Sequence, residues 1–176
     1  SLIVTYVFGR EYVEGVSKYL LSLPLSRSRM VFAKFLVSFA WFAALSVTLI
    51  AECLLVGQVL GLGPIPGAEA VAFGARTLLV TCLLFTLAPA VAWMAVGSGG
   101  FLAPLGYAIF TLMLGMVFGA TDWAPWCPWA IVPLLTGAAG PARASLDPGS
   151  YVVLAVFLLV GWLGTTLWLA KADNLQ

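Results

Sequence analysis

Four apolar runs, at residues 35–57, 71–97, 101–120 and 151–170, are each long enough to cross the roughly 30 Å hydrocarbon core of a bilayer as a helix. Hydrocarbon offers a backbone amide no partner, so segments of this kind must satisfy their own hydrogen bonds and be helical. The expected fold is therefore all-α, a polytopic transmembrane helical bundle with four complete spans. Within those runs Glu52 and Arg76 are the charged residues. With 62% hydrophobic and 9% charged residues, the chain has too little polar side chain to clothe a water-soluble globule. Residues 2–8 are apolar but too few to cross, and the chain opens on Ser1, so we read them as the inner end of a span that starts upstream. No linker or shift of composition divides the rest. Residues 1–176 are expected to form a single transmembrane domain lacking its N-terminal span or spans.

The basic residues give that bundle an orientation. Arg10, Lys18, Arg27, Arg29 and Lys34 all precede the first complete span, and Lys171 follows the last, whereas the connections on the opposite side carry Arg143. By the positive-inside rule this places the segment before residue 35, and the C-terminus, in the cytoplasm. The formal net charge of +1 excludes bulk electrostatic binding of nucleic acid. The expected location is the plasma membrane, a bacterial inner membrane, with lipid as a constant partner.

The cytoplasmic segment holds the most informative pattern. Tyr12, Val16, Tyr19, Leu20 and Leu23 recur at helical steps of three and four, while Arg10, Glu14 and Lys18 alternate in sign at i,i+4 on another face. This predicts a short amphipathic helix over residues 10–23. Pro24 ends it, and Ser26 or Ser28 can cap a new helix that runs through Lys34 into the membrane. So short a helix is marginal alone in water, so its apolar stripe must rest on lipid, on its own bundle or on another protein.

Glu11, Glu14 and Gly15, followed by Leu20, Leu21, Pro24, Arg27 and Lys34 at the start of a long apolar helix, resemble the cytoplasmic loop of type-2 ATP-binding-cassette (ABC-2) permeases, with antibiotic- and bacteriocin-export permeases as the nearest in kind. Val16 departs from the Thr or Ser that often follows the glycine in that family. The resemblance implies a six-span permease subunit whose residues 10–23 form a coupling helix docked in a separate ABC ATPase. Arg10, Glu11, Glu14, Gly15, Lys18, Tyr19, Leu20, Leu21, Leu23, Pro24 and Arg27 would then contact that partner. It also implies a second permease subunit, identical or different, and ATP with Mg on the ATPase rather than any cofactor on this chain.

The residue inventory is consistent with that division of labour. No GxxxxGK[ST] loop is present to hold nucleotide phosphates, and Gly97-Ser98-Gly99-Gly100 has no lysine. Without histidine, and with Cys53, Cys82 and Cys127 scattered, the usual zinc, His-base and Cys-His chemistries lack their residues. We therefore expect an exporter permease that is not itself an enzyme. An ion-coupled secondary transporter or channel is the main alternative, and an intramembrane enzyme the second.

Four further features call for a structural answer. Glu52 and Arg76 lie at similar depths on consecutive spans, so an intramembrane charge pair is expected, either structural or on the substrate path. Trp123, Trp126 and Trp129, set among Pro125 and Pro128, predict an outer interfacial or re-entrant helix. Gly115-x-x-x-Gly119 allows a close helix approach, and Pro89 should kink the second span.

Overall fold

A computed structural model describes residues 2–14, 27–61, 66–136 and 146–171, and the regular structure among them is helical. In chain order the helices are α1 (Leu2–Val13), α2 (Arg27–Val59), α3 (Gly67–Phe85), α4 (Ala88–Ser98), α5 (Leu102–Gly119), α6 (Pro128–Thr136) and α7 (Pro148–Lys171), with a 3-10 turn at Ala124–Trp126 before α6. Four helical segments have the length and composition to cross a membrane: Ser28–Val59, Gly67–Ser98, Leu102–Gly119 and Pro148–Trp168. They overlap the four apolar runs one for one.

The second crossing is broken where proline requires it. Pro89 cannot donate to the carbonyl of Phe85, so α3 stops at Phe85 and α4 restarts at Ala88. The backbone tightens between them, with Thr86 N donating to Leu83 O at 3.1 Å and Leu87 N to Leu84 O at 3.2 Å. Thr86 Oγ1 adds a bond to the same Leu83 carbonyl at 2.6 Å.

The break lets α4 run through the middle of the bundle. Most of its residues are small, and Ala88, Pro89, Ala90, Val91, Ala92, Ala95 and Val96 are all buried, while Trp93 and Met94 reach the surface. A helix apolar all round belongs in an interior, and small side chains let its neighbours come close. On α7, a Cβ added at Gly161 would stand 2.8 Å from Ala90 N, and one at Gly164 would stand 2.7 Å from the Trp93 ring. Thr165 Oγ1 bonds Gly161 O at 2.8 Å and reaches Pro89 O at 3.4 Å. The α4–α7 contact is thus nearly backbone to backbone.

Two antiparallel pairs complete the frame. Phe8 of α1 meets Phe35 of α2 with ring centroids 4.9 Å apart, and Phe35 stacks on Trp162 of α7 at the same distance. Ser46 Oγ of α2 and Thr81 Oγ1 of α3 lie 2.6 Å apart in a buried hydrogen bond.

The structure redraws the start of the charged segment. The helix that begins at Leu2 continues without a break through Arg10 and Glu11 to Val13, and Glu14 N still bonds Arg10 O at 2.9 Å. Arg10 and Glu11 are therefore the end of the apolar helix rather than the first turn of a separate one. Gly15, Lys18, Tyr19, Leu20, Leu21, Leu23 and Pro24 lie outside the described residues. Because α2 already begins at Arg27, Ser28 sits inside it and is not its cap.

Candidate functional site

Helices α1 to α6 enclose a half-open cavity of about 740 Å³. Pockets that take small organic molecules span about 300–1,000 Å³, so this one has room for a sizeable apolar group. Val4, Phe42, Leu84, Val91, Tyr107 and Trp129 mark one wall residue from each helix in turn. Among the described residues no charged side chain lines it. Thr111 also faces it, but its hydroxyl is occupied by Ala108 O at 3.0 Å.

Helix α5 shapes the cavity with a stripe of small or slim residues. Pro104, Ala108, Thr111, Gly115 and Gly119 are its buried positions, spaced at three and four along an otherwise bulky helix. At Gly115 a Cβ would stand 2.8 Å from Trp129 O, so the glycine is what lets α6 lie against α5. Gly119 has nothing comparable within 4 Å. Half of the glycine pair therefore serves a contact inside the subunit.

The three tryptophans divide in use. Trp129 is held edge-on between Tyr107 at 6.3 Å and Phe157 at 5.4 Å and forms part of the cavity wall. Trp123 and Trp126 are 70% and 59% exposed, as suits rings at a headgroup boundary. Ser150 Oγ of α7 donates to Pro125 O at 2.9 Å and ties the segment to the start of the last crossing.

The expected charge pair does not form. Glu52 makes no ion pair among the described residues, and Arg76 Nη2 instead donates to Leu135 O at 2.7 Å. The two residues stand at similar distances along their helices but on different faces. From the Ser46–Thr81 contact, Glu52 is six residues up α2 and Arg76 five residues back along α3, turning them about 240° and 140° away from that line. Leu135 is in the last turn of α6, where carbonyls lack helical donors and the helix dipole favours a cation. Glu52→Gln and Arg76→Gln should accordingly act independently on thermal stability in detergent. Their coupling energy should be within about 0.5 kcal/mol of zero, and mutual rescue would contradict the geometry.

Of the positions assigned to partner contact, Arg10 and Glu14 are described with side chains. Arg10 Nε donates to Glu14 Oε1 at 2.7 Å, the first rung of the alternating ladder, and its guanidinium lies 5.6 Å from the centre of the Tyr6 ring. The hydrogen bond to Glu14 raises the Arg10 pKa further, so this cation stays charged. Glu11 is placed by its backbone in α1 and Arg27 as the first residue of α2. Lys34 Nζ lies over the Phe8 ring at 5.2 Å.

Reading the sequence missed the cavity. Its signal was the small-residue stripe of α5, of which the Gly115–Gly119 spacing was one part.

No solved structure matches the chain. The bacitracin transport permease protein BCRB of Bacillus licheniformis is 26% identical to it over 179 residues, covering 98% of this chain and 83% of that protein. Residues 1–116, which carry α1 to α4 and most of α5, match the family described as ABC-2 family transporter protein. With crossing helices in sequence-predicted positions and that match over most of its length, the chain belongs to the ABC-2 transporter family, as a membrane permease.

Proposed function

We propose that this permease passes an amphiphilic, peptide or lipid-like cargo out of the cell, driven by a separate ABC ATPase that holds ATP and Mg. The observation that carries the cargo reading is the 740 Å³ cavity, whose lining among the described residues is mostly apolar and free of charged side chains. An apolar group fits there without stranding a charge, and the polar part of an amphiphile can stay at the open side. The relative named for bacitracin transport supports the same class.

In this reading residues 1–176 act as one domain. The basic residues around α1 and α2 face the cytoplasm of a bacterial cell, and the C-terminus returns there. Residues 10–23 dock on the ATPase through Tyr19, Leu20 and Leu23, with Arg10, Glu14 and Lys18 setting the register. In a six-span subunit α1 closes the second span and the four longer crossings follow. Helix α6 has nine residues, about 14 Å long, so it suits a re-entrant element that dips partway into the outer leaflet. The exposed apolar faces of α2, with Trp41, Leu45 and Leu55, suit lipid and a second permease subunit. Nucleotide-driven closure of paired ATPases would shift the two permeases from inward-open to outward-open. Moving that balance from 1:99 to 99:1 takes about 5.5 kcal/mol.

The test is co-expression with an ABC ATPase encoded beside this chain, pull-down in mild detergent and reconstitution into liposomes with bacitracin as probe. The ATPase should co-purify and bacitracin movement should require ATP. Movement by this chain alone would sink the reading. As a local check, Ala108→Phe places a ring in the cavity and should lower ATP-dependent bacitracin movement on the order of tenfold, the effect of about 1–3 kcal/mol of overpacking, while ATPase association is unchanged.

A further inference from the structure

Phe101 sits in the turn between α4 and α5, just ahead of Leu102. That turn is shaped by Gly99, whose φ of 62° is open to glycine and closes α4 in the left-handed conformation. The Phe101 side chain reaches across to α1. Its ring stacks on Tyr6 with centroids 6.4 Å apart and planes 7° from parallel. One edge of it also lies against Gly9, where a Cβ would stand 2.9 Å from two ring carbons. Glycine is a poor helix former, and its place inside α1 is explained by the room this ring needs.

Tyr6, Gly9 and Arg10 share one face of α1 by their helical spacing. Arg10 covers the Tyr6 ring and bonds Glu14, both in the described start of the amphipathic segment. Contacts therefore run continuously from Glu14 through Arg10 and Tyr6 to Phe101. From Phe101 the chain enters α5, whose Tyr107, Ala108 and Thr111 form a wall of the cavity.

We infer that Phe101 is a positioning residue for coupling: it links the end of α1 to α5, so that displacement of the amphipathic segment moves the cavity wall. This rests on the coupling-helix reading above. Helix α1 also packs on α4, and α4 on α5, but Phe101 is the side chain that joins α1 directly to the start of α5, through Tyr6 and Gly9. Phe101, Tyr6 and Gly9 are not among the residues that line the cavity, so the contact acts through α5.

The experiment uses the permease co-purified with its ATPase, the three cysteines replaced by Ser, and maleimide labelling at Ala108→Cys as a reporter that needs no cargo. With Phe101 present, a non-hydrolysable ATP analogue should change the labelling rate at least threefold. In Phe101→Ala that change should vanish while ATPase recovery stays at the parent level, and Phe101→Tyr should restore it. If Phe101→Ala fails to accumulate, Phe101→Leu keeps the bulk without the flat ring and carries the same test. A nucleotide response that survives in the variant, or one absent with Phe101 in place, overturns the proposal. Loss of the ATPase from Phe101→Ala also overturns it, since the ring would then serve docking instead. The coupling-helix reading fails separately, if the ATPase stays bound when Leu20 is replaced by Asp.

Discussion

Leu20→Asp is expected to strip the ATPase from the permease while leaving membrane insertion intact. Leu20 belongs to the apolar stripe with Tyr12, Val16, Tyr19 and Leu23, and it is one of the positions that match the ABC-2 loop. A carboxylate on that stripe must either be buried unpaired in the groove of the partner or hold the helix away from it. Central apolar anchors at protein interfaces cost about 2–4 kcal/mol when lost, and a charge in their place costs more. That weakens association on the order of a hundredfold or beyond, enough to empty a pull-down at micromolar concentration. Insertion depends on the four long crossings, which the substitution does not touch. Membrane-fraction yield and ATPase recovery, read side by side, check both halves. Undiminished recovery would mean that the helix rests on lipid.

Gly161→Leu is expected to prevent stable assembly of the bundle. The atoms its Cβ would meet are Ala90 N, Pro89 Cβ and the Pro89 carbonyl carbon, at 2.8 to 2.9 Å. Two of these are backbone, in the buried first turn of α4 beside the Pro89 break, so neither can swing aside as a side chain would. Overpacking a tight core costs about 1–3 kcal/mol for a few extra methylenes, and here separation of two helices adds to it. Against a total stability of about 5–15 kcal/mol, the loss should show as a much lower detergent melting temperature and poor recovery of monodisperse protein. Gly164→Leu meets the Trp93 ring at 2.7 Å, a side chain 40% exposed that can turn, and should be milder. Equal melting temperatures for the two variants would contradict the packing described.

The crossings were legible because hydrocarbon imposes a length and a composition on any helix that enters it. Pro89 was legible too, since a missing amide proton breaks the ladder wherever it falls. Glu52 and Arg76 show where the reading stopped. Rise per residue fixes depth from sequence alone, but the face a residue presents depends on how two helices are turned against each other. Arg76 found Leu135 O because α6 ends beside it, and no pattern in residues 71–97 announces that neighbour. The aromatic cluster was visible as composition. That Trp129 lines a cavity while Trp123 and Trp126 face outward was not.

The amino-acid order by itself determined the solvent, the number and approximate ends of the long crossings, the break in the second and the family resemblance. Each follows from local chemistry: apolar length, a proline, the distribution of Lys and Arg, a run of matched residues. Only the tertiary structure decided that α4 is the centre, that glycines on α7 and α5 are contact points, that Phe101 reaches Gly9, and that six helices leave 740 Å³ between them. In lipid an apolar side chain is nearly as well off facing a tail as facing a neighbour, so hydrophobicity cannot choose the inward face. Close fit between surfaces makes that choice, and it exists only once the helices are together.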